Sequence, residues 1–125
     1  MDGKKVLGLV LTVVLALFFI VPNGLGKLIG IMGVDAQALA ATYGYPVAFM
    51  KLIGVLELLG GVGLLLPAAR KWAAMGLVGL MLGAVVSHIR APETLGMLPM
   101  PILAGAALLV VLKLNSGGNT SEATD

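Results

Sequence analysis

The segment KLIGVLELLGG, residues 51–61, decides the fold. It places one carboxylic acid, Glu57, inside an apolar run that extends from Pro46 to Leu66. A run of about 20 mostly apolar residues has the length that a helix needs to cross the hydrocarbon core of a membrane. Glu57 lies close to the middle of this run, so we expect an acid at membrane depth.

The composition of the whole chain supports a membrane setting. Of 125 residues, 59% are hydrophobic and only 11% are charged, whereas a soluble domain carries about 25% charged residues. The formal net charge of +2 comes from eight Lys and Arg spread along the chain, so no basic patch forms and we expect no nucleic-acid partner. With no Cys and one His, the chain offers no thiolate or two-histidine metal site, and we predict no metal.

Three further apolar runs predict an all-α, polytopic membrane four-helix bundle. The four predicted spans cover residues of about 6–31, 46–66, 72–89 and 98–114, as runs bounded by polar or turn residues. Between the first two spans, Asp35 precedes a short apolar segment and predicts a short interfacial helix. Residues 1–114 are thus the membrane domain, and the polar residues 115–125 predict a disordered tail.

Basic residues near the ends of the spans set the predicted orientation. Five of them fall on one side of the predicted bilayer: Lys4, Lys5, Arg70, Lys71 and Lys113. Lys27 and Arg90 fall near the other side. Because cytoplasmic loops carry an excess of Lys and Arg, we predict both termini in the cytoplasm. The first span is too far from the small residues at 36–38 for a cleaved secretory signal.

Four polar side chains are predicted to meet in the outer half of the bundle. Glu57 forms the floor of this polar pocket, and His88, Lys27 and Asn23 converge on it from above. A charged group near the centre of a membrane helix costs about 2.5–3.5 kcal/mol on the insertion scale, so such groups face the protein interior and mark function. The tilt of Cα–Cβ bonds towards each helix N-terminus brings Glu57 towards the other three.

Each of these groups also has a purely structural interpretation. Glu57 with a cation can act as an interhelical clamp, and His88 can be a hydrogen-bonding group at the membrane interface. Lys27 can be an interfacial anchor. Lys51 and Arg90 are predicted to be such anchors. The aromatic residues Tyr43, Tyr45 and Trp72 fit the aromatic belt of a membrane interface, and we assign them no chemistry.

Small residues at helical spacing predict the faces along which the helices pack. They form two sets: Gly54, Gly60 and Gly61 around Glu57, and Gly76, Gly79, Gly83 and Ser87 on the third span. Small residues allow membrane helices to approach closely. We therefore expect both faces to lie against neighbouring helices.

Four parts of the sequence, in residues 26–28 and 51–61 and at Pro67 and His88, resemble the DoxX and DoxX-like family of small four-helix bacterial membrane proteins. The resemblance rests on Gly26-Lys27-Leu28, on the segment 51–61, on Pro67 and on His88, and it covers most of residues 6–112. It implies a four-helix membrane fold, a location in the bacterial inner membrane, and a loose association with quinone or sulfur oxidation chemistry. In that setting, a quinone is the one candidate cofactor, with its carbonyl groups bonded to Glu57 and His88.

The resemblance also implies a role without catalysis by the chain alone. The expected partners are the lipid bilayer and a larger membrane oxidoreductase, which this chain would serve as an accessory subunit, or further copies of the chain. Two other function classes stay open. One is a small proton-coupled transporter that uses Glu57, although small multidrug transporters carry their glutamate in the first span. The other is a purely structural subunit whose glycine faces dock onto a larger membrane enzyme.

Overall fold

The computed structural model describes the backbone of residues 2–124 and the side chains of residues 2–115. The described residues form six α-helices and two helical segments of other types. These are α1 (Gly3–Phe18), a π-helix (Phe19–Leu25), α2 (Gly26–Ile29), α3 (Ala36–Tyr43), α4 (Val47–Leu65), α5 (Arg70–Arg90), a 3₁₀ helix (Pro92–Met97) and α6 (Pro99–Thr124). The described residues include no β-strand, which confirms the all-α prediction.

Three helical stretches are long and apolar enough to cross a membrane. They are the continuous stretch Gly3–Ile29, in which α1, the π-helix and α2 follow one another, and the helices α4 and α5. The apolar part of α6, Pro99–Asn115, is shorter. The predicted disorder of the tail falls on residues whose side chains lie outside the described part, and it stays a prediction.

Local sequence explains where the helices begin and end. The Asp35 side chain accepts a hydrogen bond from the backbone N–H of Gln37 at 2.9 Å and so caps α3, as predicted. Gly44 ends α3 with a φ of +75°, a left-handed conformation that costs glycine little. The Arg70 Nε donates to the Leu64 carbonyl oxygen at 2.7 Å and satisfies an otherwise open group at the end of α4.

The long helices pack in cyclic order. The stretch Gly3–Ile29 lies against α4, α4 against α5, α5 against α6, and α6 against α1. The short turn between α4 and α5 makes this pair antiparallel. The position of Gly8 on α1 lies beside Leu114 on α6, and that of Gly61 on α4 lies beside Ala16 on α1. The first turns of α1, the part of α6 near Leu114 and the α4–α5 turn therefore share one end of the molecule, the turn end. The core in this half includes the fully buried Phe19, Leu64 and Leu77.

Large apolar side chains cover much of the outer surface of these helices. Leu17, Leu59, Leu82 and Leu103 are between 54% and 68% exposed. A soluble monomer rarely exposes apolar side chains on this scale. The helices therefore present lipid-compatible faces outward, as expected of a membrane protein.

Three of the predicted packing glycines lie where helices touch. A Cβ at Gly61 would come within 2.9 Å of the Ala16 carbonyl oxygen on α1. A Cβ at Gly54 would lie 2.7 Å from the Cβ of Lys27, and one at Gly60 would overlap the Leu77 side chain. A side chain at Gly54 or Gly61 would force α4 away from its neighbour, whereas one at Gly60 would require the Leu77 side chain to move.

The three glycines of the second set contact no other helix among the described residues, so their predicted packing stays a prediction. A Cβ at Gly76, Gly79 or Gly83 would meet no atom within 4 Å among the described residues, apart from the backbone of its own helix. Helical spacing shows only that these glycines share a side of α5, and nothing in the sequence shows that a neighbour covers it. Ser87 continues this set, but its hydroxyl bonds back to the Gly83 carbonyl oxygen at 2.9 Å.

Candidate functional site

The site begins with a break in the first long helical stretch. Pro22 has no backbone N–H, so it leaves the carbonyl of Phe18 without its usual donor four residues on. The Asn23 side chain compensates, because its Nδ2 donates to the Phe18 carbonyl oxygen at 3.0 Å. Pro22 lies inside the π-helix, a helix type that often marks functional positions.

A buried ion pair joins this stretch to α4. Lys27 Nζ lies 2.6 Å from Glu57 Oε1, and the two side chains are 10% and 2% exposed. Lys27 Nζ also donates to Asn23 Oδ1 at 3.4 Å. Gly54 makes this arrangement possible, because a Cβ there would collide with the Lys27 stem. The structure therefore brings together three of the four predicted pocket residues.

A cavity of about 370 Å³ opens beside the ion pair. Most of its lining is apolar and comes from the first stretch, α3, α4, α5 and the start of α6. Its polar members are Asn23, Lys27, Glu57, Tyr43, Tyr45 and Ser87. Concave, mostly apolar sites with a few placed polar groups are the usual form of a small-molecule site.

His88 belongs to a different cluster, which corrects the predicted pocket. Its Nδ1 lies 2.8 Å from Thr94 Oγ1 and 3.2 Å from the Tyr43 hydroxyl. Thr94 Oγ1 also donates to the Ala91 carbonyl oxygen at 2.7 Å. His88 is buried but is not among the residues that line the cavity. It ties the end of α5 to the 3₁₀ helix and to α3.

Two tyrosines that the sequence placed at the membrane interface line the cavity instead. The Tyr45 hydroxyl lies 2.8 Å from Ser87 Oγ, so the link between α3 and α4 is joined to α5 at the cavity's edge. Burial raises the pKa of the Tyr43 hydroxyl, so this group keeps its proton at neutral pH. No sequence pattern marked these residues, because their contacts join segments more than 40 positions apart.

The comparison with known families fits this arrangement. The DoxX-like family matches residues 10–112, which include every polar residue of the cavity lining. The chain belongs to the DoxX-like family. No curated protein and no solved structure matches it. The resemblance identified from residues 26–28 and 51–61 is thereby confirmed for the family.

The two predicted anchors of this DoxX-like protein both lie on its surface. Lys51 is exposed on α4 and lines no part of the cavity. Arg90 is exposed at the end of α5, where its guanidinium lies 5.7 Å from the centre of the Tyr45 ring. Its Nη1 also lies 3.4 Å from the Tyr45 hydroxyl. Arg90 therefore holds a residue of the cavity lining from outside.

The ion pair of the DoxX-like protein keeps bonding capacity for a ligand. An ammonium group has three N–H donors, and Lys27 directs two of them to Glu57 and Asn23. Glu57 Oε2 has no hydrogen-bond partner among the described side chains and backbone groups. Yet no fully enclosed side-chain N or O atom in this part lacks a partner. Oε2 therefore reaches open space, and the adjoining space is the cavity.

The His88 cluster predicts a stability effect without a binding effect. Thr94→Val removes a hydrogen-bond partner of His88 Nδ1 and should lower the free energy of unfolding by about 1–3 kcal/mol. Thermal unfolding in detergent measures this, with Thr42→Val as the control, because Thr42 is exposed and bonds only within its own helix. Equal stability of the two variants would contradict the assignment of His88 to a structural cluster.

Proposed function

We propose that this DoxX-like protein is an accessory subunit of a quinone-linked redox system and binds a quinone head group in its cavity. The observation that carries the proposal is the buried Lys27–Glu57 pair on the wall of an otherwise mostly apolar cavity. A quinone matches this wall because its ring is apolar and its carbonyl oxygens accept hydrogen bonds. Its reduced form carries hydroxyl groups that donate to a carboxylate.

The proposal includes four spans in the bacterial inner membrane, formed by residues 1–114. The apolar part of α6, Pro99–Asn115, is about 26 Å long at 1.5 Å per residue, at the short end of the range for spanning helices. The cyclic packing of α6 with α5 and α1 supports its inclusion. We assign the turn end, with both termini, to the cytoplasm.

The distribution of basic residues supports this orientation. Lys4, Lys5, Arg70 and Lys71 all lie near the turn end. Towards the opposite end Lys27 is buried in the ion pair, and the exposed basic residues are Lys51 and Arg90. The excess of basic residues at the turn end supports its assignment to the cytoplasm.

The ion pair also separates this proposal from proton-coupled transport. A transporter glutamate binds its cationic substrate and protons by turns. In this chain the Lys27 ammonium already lies 2.6 Å from Glu57, in the position that a transported cation would take. An internal partner favours a fixed binding wall over an exchange site.

Quinone content after purification tests the proposal. Wild-type protein, extracted in mild detergent, is expected to retain close to one quinone per chain by organic extraction and chromatography. The double variant Lys27→Met/Glu57→Gln leaves the net charge unchanged. Its quinone content should be at least tenfold lower than that of the wild type. Hydrogen bonds to charged groups contribute about 1.5–3 kcal/mol, and 1.4 kcal/mol corresponds to tenfold.

The matched control is Lys51→Met/Glu93→Gln, which makes the same two changes at exposed positions. It should retain quinone as the wild type does. Wild-type protein with no more quinone than the surrounding lipid extract would refute the binding proposal. Retention by the Lys27→Met/Glu57→Gln variant at the wild-type level would do the same. Cation uptake driven by a proton gradient in wild-type vesicles would favour the transporter class.

A separate measurement tests the accessory role. We expect affinity purification in mild detergent to recover a defined membrane oxidoreductase together with this chain. Recovery of a single-component, monodisperse particle would contradict the role as a subunit. Quinone binding would still be decided by the quinone content of the purified protein.

A further inference from the structure

Gly79 and Gly83 of α5 have a property that helix packing does not explain. Both lie well inside a long helix, where glycine weakens the helix relative to alanine. A Cβ at either position would meet no atom within 4 Å outside its own helix. Both glycines line the cavity, and both are exposed. Their missing side chains therefore leave a gap in the α5 wall of the cavity.

The gap lies where α4 and α5 separate. Near the turn end the two helices are in close contact, because Gly60 abuts Leu77 and Gly63 abuts Ala73. Farther from the turn, the cavity lies between the helices. At that level α4 contributes Ile53 to its lining.

The gap opens on a surface that suits lipid. Phe49 lines the cavity from α4 and is 42% exposed. On α5, Leu82 and Val86 are 63% and 54% exposed, and they follow Gly79 and Gly83 by three residues each. These apolar side chains belong to helices with the length and composition of membrane spans. An opening flanked in this way faces acyl chains.

We propose that the cavity takes its ligand sideways from the lipid phase, through an opening between α4 and α5 bounded by Gly79 and Gly83. This inference rests on the proposed function and specifies its ligand class. The ligand is an amphiphile whose carbonyl or hydroxyl head reaches Lys27 and Glu57 and whose apolar tail stays in the bilayer.

The absence of cysteine from the sequence allows a direct test with single spin labels. Gly79→Cys and Gly83→Cys are each labelled with a nitroxide and reconstituted in vesicles. Power-saturation EPR then measures collisions with oxygen, which concentrates in lipid, and with a water-soluble nickel chelate. Gly76→Cys is the matched control, because Gly76 is also exposed and uncontacted on α5 but does not line the cavity.

At Gly79 and Gly83 we expect at least threefold more collisions with oxygen than with the nickel chelate. A ubiquinone with one isoprenoid unit should then lower the oxygen collision rate at least twofold at these two positions and leave it unchanged at Gly76. A second measurement needs no label. Gly83→Leu should slow the exchange of bound quinone at least fivefold, whereas Gly76→Leu should not.

The outcomes separate this inference from the proposed function. More collisions with the nickel chelate at Gly79 and Gly83 would show access from water and overturn the opening, even with quinone bound. Equal quinone exchange in Gly83→Leu and Gly76→Leu would also overturn it. Failure of unlabelled wild-type protein to bind quinone would refute the proposed function and the ligand class. The collision rates without quinone would still decide whether the opening faces lipid.

Discussion

Replacing Lys27 with Met is expected to lower the free energy of unfolding by about 3–5 kcal/mol. The change removes the ammonium 2.6 Å from Glu57 Oε1 and leaves a carboxylate that is only 2% exposed. A buried charge without its partner loses the attraction that offset its desolvation. Equilibrium unfolding in mixed detergent micelles, followed by far-ultraviolet circular dichroism, measures the effect.

The matched control is Lys51→Met on α4, because Lys51 is exposed. Its effect should stay within about 0.5 kcal/mol. The double variant Lys27→Met/Glu57→Gln should recover much of the stability lost in Lys27→Met, since it removes both charges together. Additive losses from the two single changes would contradict a direct ion pair, because contacting residues couple in a double-mutant cycle.

Gly61→Val is expected to have the second large effect, a loss of about 1–3 kcal/mol or more. A Cβ at Gly61 would lie 2.9 Å from the Ala16 carbonyl oxygen and 3.2 Å from the Ile20 backbone nitrogen. Backbone atoms cannot rotate away as a side-chain end can, so α1 and α4 must separate. Unfolding in the same micelles measures the loss.

Gly76→Val makes the identical change on the exposed side of α5, where a Cβ meets nothing within 4 Å. The change in the free energy of unfolding should be small, because the added side chain meets no neighbour and valine is only a slightly better helix former than glycine. Equal losses at the two positions would show that valine acts through the helix backbone rather than through the contact between α1 and α4.

The sequence was sufficient to predict three helices long and apolar enough to span a membrane, and the family. Long apolar runs are directly visible in a sequence, and an acid in the middle of one of them is expected to lie against another helix. Lys27 was one of three groups expected to converge on Glu57, and the structure pairs these two residues. Asp35 predicted the start of α3 because the capping interaction is local.

The sequence was not sufficient to predict what lies around the pair. His88 was expected in the pocket from its place in the outer half of the bundle and from the tilt of its side chain. In the structure it contacts Thr94, six residues later. Thr94 lies in a 3₁₀ helix, which no periodicity in the sequence predicted. Tyr43 and Tyr45 were assigned to the membrane interface because aromatic residues concentrate there. Their place at the cavity depends on how α3 folds back on α4 and α5, which is a tertiary property.

The surroundings of the α5 glycines also could not be predicted from the sequence. Spacing at three and four residues makes a stripe on one side of a helix, but the stripe is equally compatible with a contact and with a space. Gly60 and Gly61 make contacts, whereas Gly79 and Gly83 bound an opening. Only the positions of the neighbouring helices distinguish the two outcomes.

The π-helix at Phe19–Leu25 has a consequence for comparing this chain with others. A π-turn hydrogen bond joins residues five positions apart, whereas an α-turn bond joins residues four positions apart. This segment therefore contains more residues per helical turn than an α-helix would. A homologue that is one residue shorter here can run as an unbroken α-helix and still direct its lysine towards the acid of the second span. Alignments should therefore be anchored separately on each side of the segment, with a single-residue gap allowed inside it.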